Sequence, residues 1–135
     1  IGWVERDKIA VNQGWIDSWK VLTAMAAEGD GKFPNKITGQ PIVAPPNSSC
    51  TETYLVLGSF NSEAEAINFA AYQRTRLFRF LVSLRKNTQH LTRDRFSFVP
   101  QLDITRPWTD ADLYARYGLT PDEIAYIESM IKEMP

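Results

Sequence analysis

The first part of the chain has the pattern of strands separated by turns. Residues 19–25 read WKVLTAM, a run of large and β-branched side chains that predicts a strand. Residues 42–44 lead into Pro45-Pro46, and because proline cannot donate to a sheet ladder, they are expected to form an edge strand. Residues 51–57 have the clearest strand pattern, which closes at Gly58. We therefore expect a small, mostly antiparallel sheet here.

A helical period replaces this pattern at Ser62. Ser62 and Glu65 have the spacing of a capping box, in which the hydroxyl accepts the Glu65 amide and the carboxylate reaches back. No glycine or proline follows before about residue 86. The pattern thus predicts one long helix of about seven turns. Its predicted buried face consists of Ile67, Ala70, Leu77, Leu81 and Leu84.

Two further helix starts follow near the end of the chain. Thr109 is expected to cap a short helix that Gly118 ends in a left-handed conformation. Thr120-Pro121 is expected to begin another, because proline suits the first helical position. The predicted buried stripe of the last helix is Ile124, Ile127, Ile131 and Met134. The predicted fold class is α+β: a small, mostly antiparallel N-terminal sheet packed on a long central helix and two C-terminal helices.

Composition places these elements in one globular domain, residues 1–135. The chain is 44% hydrophobic and 12% aromatic, which excludes a disordered or fibrous protein. No run approaches the roughly 20 apolar residues of a membrane span, so no membrane partner is expected. Cys50 is the only cysteine, which favours a reducing, cytoplasmic setting and excludes an internal disulfide. Since the chain begins at Ile1 without a methionine, we expect it to be a fragment of a longer protein.

Charge is distributed very unevenly. The formal net charge is −1, yet residues 74–95 contain seven basic side chains and one acidic one, while both flanks are acidic. Such a cluster on a nearly neutral protein favours binding to the phosphates of DNA. The predicted DNA-binding residues are Arg74, Arg76, Arg79, Arg85, Lys86, Asn87, Gln89, His90, Arg93 and Arg95.

Helical spacing puts Arg76, Arg79 and Lys86 in one stripe, which we expect to lie on the exposed side of the long helix. Guanidinium groups suit phosphates, and the amides that follow suit base edges. A competing interpretation is that the arginines form buried pairs with Asp94, Asp103 or Asp110 and only hold the helix in place.

Motifs for catalysis are absent from the sequence. His90 is the single histidine, with no serine-triad motif, metal-ligand cluster or phosphate-binding loop beside it. Residues 44–47 (APPN) lack the leading amide or acid and the trailing aromatic of a methyltransferase loop. Asp17 with Asp30-Gly31-Lys32 loosely matches a magnesium nuclease pattern, but its second half falls in a glycine-rich turn. No catalytic residue, metal or cofactor is predicted in this chain.

From about residue 50 to the end, the motifs resemble a known C-terminal block. They are residues 50–55 (CTETYL), 72–81 (YQRTRLFRFL), 84–86 (LRK), 96–100 (FSFVP) and 108–110 (WTD), with 19–22 (WKVL) as a weaker upstream match. This block belongs to adenine-specific DNA methyltransferases of bacterial restriction–modification systems, including fusions to an endonuclease.

The resemblance implies a target-recognition region that binds double-stranded DNA beside a methylase core of the same chain. That core would hold S-adenosylmethionine; the fragment alone is expected to be non-catalytic. The main alternative is a protein–protein interaction domain that couples methylase to nuclease, or subunit to subunit. An autonomous magnesium nuclease is a third.

Overall fold

The computed structural model describes residues 2–24, 32–85 and 96–135. Its first elements are two short 3₁₀-helices, Arg6–Lys8 and Gln13–Asp17. The strands are β1 (Trp19–Ala24), β2 (Ile42–Ala44) and β3 (Tyr54–Phe60). The α-helices are α1 (Glu63–Arg74), α2 (Arg76–Ser83), α3 (Asp110–Arg116) and α4 (Pro121–Met130). The mixed α+β architecture is the predicted one.

The three strands form one antiparallel sheet in the order β2-β1-β3. β2 lies at an edge, which confirms the expectation from the prolines that follow it. The expected end of β3 at Gly58 is wrong, because the strand continues to Phe60. The ring of Phe60 folds over Gly58, where a Cβ atom would lie 2.4 Å from the Phe60 Cζ atom. The glycine therefore makes room for the ring and does not end the strand.

Helix α1 packs on the sheet. A two-residue turn joins it to β3, so it runs back across all three strands. Ala66 and Ala70 face Val21 and Phe60 in one buried cluster. Because alanine side chains are short, the helix can approach the sheet closely.

The predicted buried face of the central helical region is only partly correct. Ala70 and Leu77 are buried, but Ile67 is 49% exposed and Leu84 is 55% exposed. Within α1 the buried face follows Ala66, Ala70 and Gln73 and leaves out Ile67, and Leu84 lies after the end of α2 at Ser83.

The larger core lies among α2, α3 and α4. Its buried members include Leu77, Phe78, Val82, Trp108, Leu113, Tyr114, Ile127 and Ile131. Two backbone hydrogen bonds at Asn35 join the loop before β2 to the C-terminal segment. The Asn35 N–H donates to the Met130 carbonyl, and the Asn35 carbonyl accepts the Lys132 N–H, both at 2.9 Å. The C-terminal segment therefore connects the helical core to the sheet.

The predicted helix starts are confirmed. The Ser62 hydroxyl accepts the Glu65 amide at 3.2 Å, although the Glu65 carboxylate accepts the amide of Asn61, one residue earlier than expected. Complete capping boxes begin α3 and α4, and Gly118 has a φ of +61°. In the predicted stripe of the last helix, Ile127, Ile131 and Met134 are buried and Ile124 is half-buried.

Candidate nucleic-acid interface

The predicted single long helix is interrupted at Thr75, which divides the basic stripe between α1 and α2. Thr75 has extended backbone angles, φ −63° and ψ 150°, and its hydroxyl accepts the Phe78 amide at 3.2 Å. The Asp110 carboxylate accepts the amides of Arg76 and Leu77 at 3.0 and 3.1 Å. These three amides are satisfied as at a helix start. The prediction of one uninterrupted helix is therefore wrong.

Arg79 is completely buried, so the expectation that it lies on an exposed face is wrong. Its Nε and Nη2 atoms donate to the Arg74 carbonyl at 3.2 and 2.8 Å. Nη1 donates to the carbonyls of Lys36 and Lys132 at 3.2 and 2.6 Å. Nε also lies 3.2 Å from the Thr75 carbonyl oxygen. We call this arrangement of one guanidinium and four backbone carbonyls the Arg79 cage.

The cage keeps a positive charge inside the protein. Burial lowers the pKa of Arg79 to about 10, so the guanidinium is still charged at neutral pH. Carbonyl oxygens from three separate chain segments take the place of water around it. Its contacts differ from the competing prediction as well, because the Asp110 carboxylate caps α2 through backbone amides instead of pairing with this guanidinium.

Arg74 and Arg76 are half-buried. The Arg74 Nε atom donates to Gln40 Oε1 at 3.1 Å. The Arg76 Nε atom donates to the Ile131 carbonyl at 3.1 Å, and its Nη1 atom lies 3.8 Å from the Glu128 carboxylate. Only 26% of the Arg76 side chain is exposed, so this residue also departs from the predicted exposed stripe.

Arg85 is exposed, as expected. Its guanidinium carbon lies 5.6 Å from the centre of the Phe98 ring, and Phe98 is itself 51% exposed. The pair presents a cation and an aromatic ring together at the surface. The remaining predicted DNA-binding residues lie outside the described residues: Lys86, Asn87, Gln89, His90, Arg93 and Arg95.

A second cationic surface was missed by the sequence analysis. Arg106 and Arg116 are both exposed, and their guanidinium carbons lie 4.1 and 5.5 Å from the Trp108 ring centre. Arg106 also pairs with Asp112 at 3.0 Å. The net charge of residues 96–135 is negative, so a search for positively charged segments did not find these two arginines. Two arginines close in sequence to a tryptophan were the available signal.

An aromatic cavity of about 370 Å³ lies between β3, α1, α2 and the segment that leads to α3. Five of its lining residues are Phe60, Phe69, Tyr72, Phe78 and Phe96. The Tyr72 hydroxyl already donates to the Pro100 carbonyl at 2.9 Å. The walls therefore offer ring surfaces and little acid–base chemistry.

Other candidate chemistry is equally limited. Asp17 accepts two hydrogen bonds from Arg6, at 2.9 and 3.1 Å, while Asp30 of the nuclease-like pattern lies outside the described residues. Burial raises the pKa of the Cys50 thiol, which disfavours the reactive thiolate. Among residues 2–24, 32–85 and 96–135, no three side chains of the metal-ligating types come together.

Comparison with protein-family models, curated proteins and solved structures finds no match to this chain. In the part of the chain that the structure describes, no helix combines the length and apolar character needed to cross a membrane.

Proposed function

We propose that this chain is a DNA-binding, target-recognition domain of a restriction–modification adenine-specific DNA methyltransferase, without catalytic activity of its own. One observation carries the proposal: seven basic residues and one acidic residue fall within positions 74–95 of a nearly neutral chain. Such clustering attracts duplex phosphates to one region. From residue 50 onward, the motifs that resemble those of adenine-specific DNA methyltransferases, in the same order, support the choice of this family. The partners would be double-stranded DNA and a methylase core that binds S-adenosylmethionine.

Side-chain contacts narrow the proposed DNA-binding set. Arg79 is removed from this set, because its guanidinium donates hydrogen bonds to four backbone carbonyls. Among the described residues, Arg85 is then the best candidate for a DNA contact. It is exposed beside Phe98, and an arginine on an aromatic ring suits a phosphate contact combined with base or sugar stacking. By sequence, Lys86, Arg93 and Arg95 continue the positive charge.

The test is fluorescence anisotropy of a labelled duplex of about 20 base pairs, titrated with this chain over a range of salt concentrations. The log of the association constant should fall with log salt by about 0.9 per phosphate contacted. Arg85→Ala should weaken binding to all sequences and reduce that slope by about one unit. Lys8→Ala is the matched control: it removes one exposed positive charge far from the cluster in sequence and should leave the slope unchanged.

Two results would contradict the DNA-binding part of the proposal. One is the lack of any salt-sensitive duplex binding. The other is equal losses for Arg85→Ala and Lys8→Ala, because binding would then depend on total charge alone. Methyl transfer from S-adenosylmethionine to the duplex by this chain alone would contradict the non-catalytic part.

A second candidate function is the interaction domain, favoured by exposed apolar side chains. Trp3 is 96% exposed, Val11 is 71% exposed and Tyr126 is 56% exposed. An interface would require such side chains to form a contiguous apolar surface, and these three are the candidates for it. Concentration-dependent association without salt-sensitive DNA binding would favour this function over the first.

A further inference from the structure

Three polar side chains are completely buried without a hydrogen-bond partner among the described residues. They are Thr23, Thr38 and Gln73, each 0% exposed. Both hydroxyl oxygens and both side-chain amide atoms of Gln73 are unpaired. Buried polar groups in folded proteins are nearly always hydrogen-bonded, either to protein or to ordered water. Apart from the Tyr114 hydroxyl in the helical core, these four are the buried side-chain atoms left unpaired among the described residues, and ordered water is a common partner of such atoms.

Two contacts bring Thr38 and Gln73 to the same place. The Arg79 guanidinium donates to the carbonyls of both Lys36 and Arg74, at 3.2 and 2.8 Å. On the other side of Thr38, the Gln40 side chain accepts from Arg74 at 3.1 Å. The loop before β2 thus runs alongside the end of α1 both before and after Thr38.

Thr23 reaches this place from the sheet. It lies two residues after Val21 on β1. The register shift between Val21 and Leu22 leaves Leu57 of β3 as the extra residue, so alternate residues of β1 still point to the same face. Val21 packs against Ala70 of α1, and Gln73 follows Ala70 by three residues on the same side of the helix. Since β3 turns directly into α1 and pairs antiparallel with β1, α1 and β1 run in the same direction. Thr23 and Gln73 therefore lie at the same end of the packed pair, near the C-terminal ends of β1 and α1.

We propose that Thr23, Thr38 and Gln73 line one internal hydration site that binds ordered water where β1, α1 and the loop before β2 meet. Water matches the chemistry, because the amide and the hydroxyls can each donate and accept, and an internal water commonly makes two to four hydrogen bonds. All three side chains are neutral, which fits water better than an ion. The site lies beside the Arg79 cage, so that polar groups continue from the cage into the interface between α1 and the sheet.

The direct test is water–protein NOE and ROE spectroscopy on the whole chain. A long-lived internal water should give cross-peaks to the side-chain amide of Gln73 that have opposite signs in the NOE and ROE spectra. Thr38→Val, which keeps the observed Gln73 amide and removes one proposed water ligand, should remove or weaken them. Thr53→Val, at an exposed threonine, is the matched control and should leave the Gln73 cross-peaks intact. Absence of a long-lived water at Gln73, or direct bonding of its amide to Thr38 or Thr23 in a crystal structure, would overturn the proposal.

A thermal double-variant cycle gives a second test. If Thr38 and Gln73 share a water, Thr38→Val and Gln73→Met should each lower the melting temperature by about 2–6 °C. The second substitution should then have less effect in the presence of the first. Strict additivity would overturn the proposal. If Gln73→Met does not fold, the same cycle with Thr23→Val and Thr38→Val applies the criterion to the two hydroxyls.

Discussion

Replacing Arg79 by methionine should destabilise the fold strongly, because methionine keeps an apolar chain of similar length but has no donors. The carbonyls of Arg74 and Lys132 then lose their donor, whereas those of Lys36 and Thr75 lose one donor but still accept the backbone amides of Thr38 and Arg79. A buried acceptor left unpaired costs about 1 kcal/mol or more, whereas removing a buried charge recovers part of its desolvation penalty. With two acceptors left unpaired, we expect a net loss of about 2 kcal/mol, a large share of the roughly 5–15 kcal/mol typical of a domain.

Urea unfolding at pH 7, followed by tryptophan fluorescence, measures this loss. Arg116→Met is the control, and its loss should stay below about 1 kcal/mol because this guanidinium is exposed and contacts the rings of Trp108 and Tyr117. A stable Arg79→Met variant whose DNA binding has a reduced salt slope would refute the reasoning. That combination would mean that the guanidinium acts at the surface.

Three further substitutions test other features with the same unfolding assay. Asp110→Ala should cost about 2 kcal/mol, because two amides at the start of α2 lose their acceptor; a loss below about 0.5 kcal/mol would mean that water replaces the carboxylate. Gly118→Ala should cost about 1 kcal/mol, because alanine is strained at positive φ, whereas Gly14→Ala, at a glycine without nearby atoms or a positive φ, should cost less. Burial raises the pKa of Tyr114 above the ordinary value of 10.0, so the folded state favours the neutral phenol and stability should fall as the pH rises above that value. Tyr114→Phe should reduce this alkaline loss, and an unchanged pH profile would contradict the assignment.

The helix starts could be predicted from sequence because an N-cap is a local interaction. Ser62 binds an amide three residues ahead, and the caps of α3 and α4 have the same short range. The edge position of β2 was equally local, since Pro45 and Pro46 limit pairing next to it. These elements depend on neighbours that the sequence places side by side.

The break at Thr75 could not be predicted in the same way, because half of its cause is distant in sequence. Asp110 lies at the start of α3 and binds the amides of Arg76 and Leu77. Within the sequence, threonine is compatible with a helix interior as well as with a cap. The tertiary contact decides between the two.

The sequence predicted where the basic cluster lies, but not which of its side chains are exposed. Counting charges located the basic cluster, but charge alone does not specify exposure. Arg79 is buried and Arg76 is mostly covered, while Arg85 is exposed. Arg106 and Arg116 form a cationic pair around Trp108 within an acidic part of the chain.

The burial of Arg79 follows from the helix break itself. In a continuous helix the Phe78 amide would donate to the carbonyl of Arg74, four residues earlier. Here the Thr75 hydroxyl accepts that amide, which leaves the Arg74 carbonyl in need of a donor at the end of α1. Arg79 supplies two N–H groups to it and uses another nitrogen to bind Lys36 and Lys132. The residue that sequence analysis placed at the surface thus completes the hydrogen bonding of the break, and the proposed DNA contact moves to the exposed Arg85.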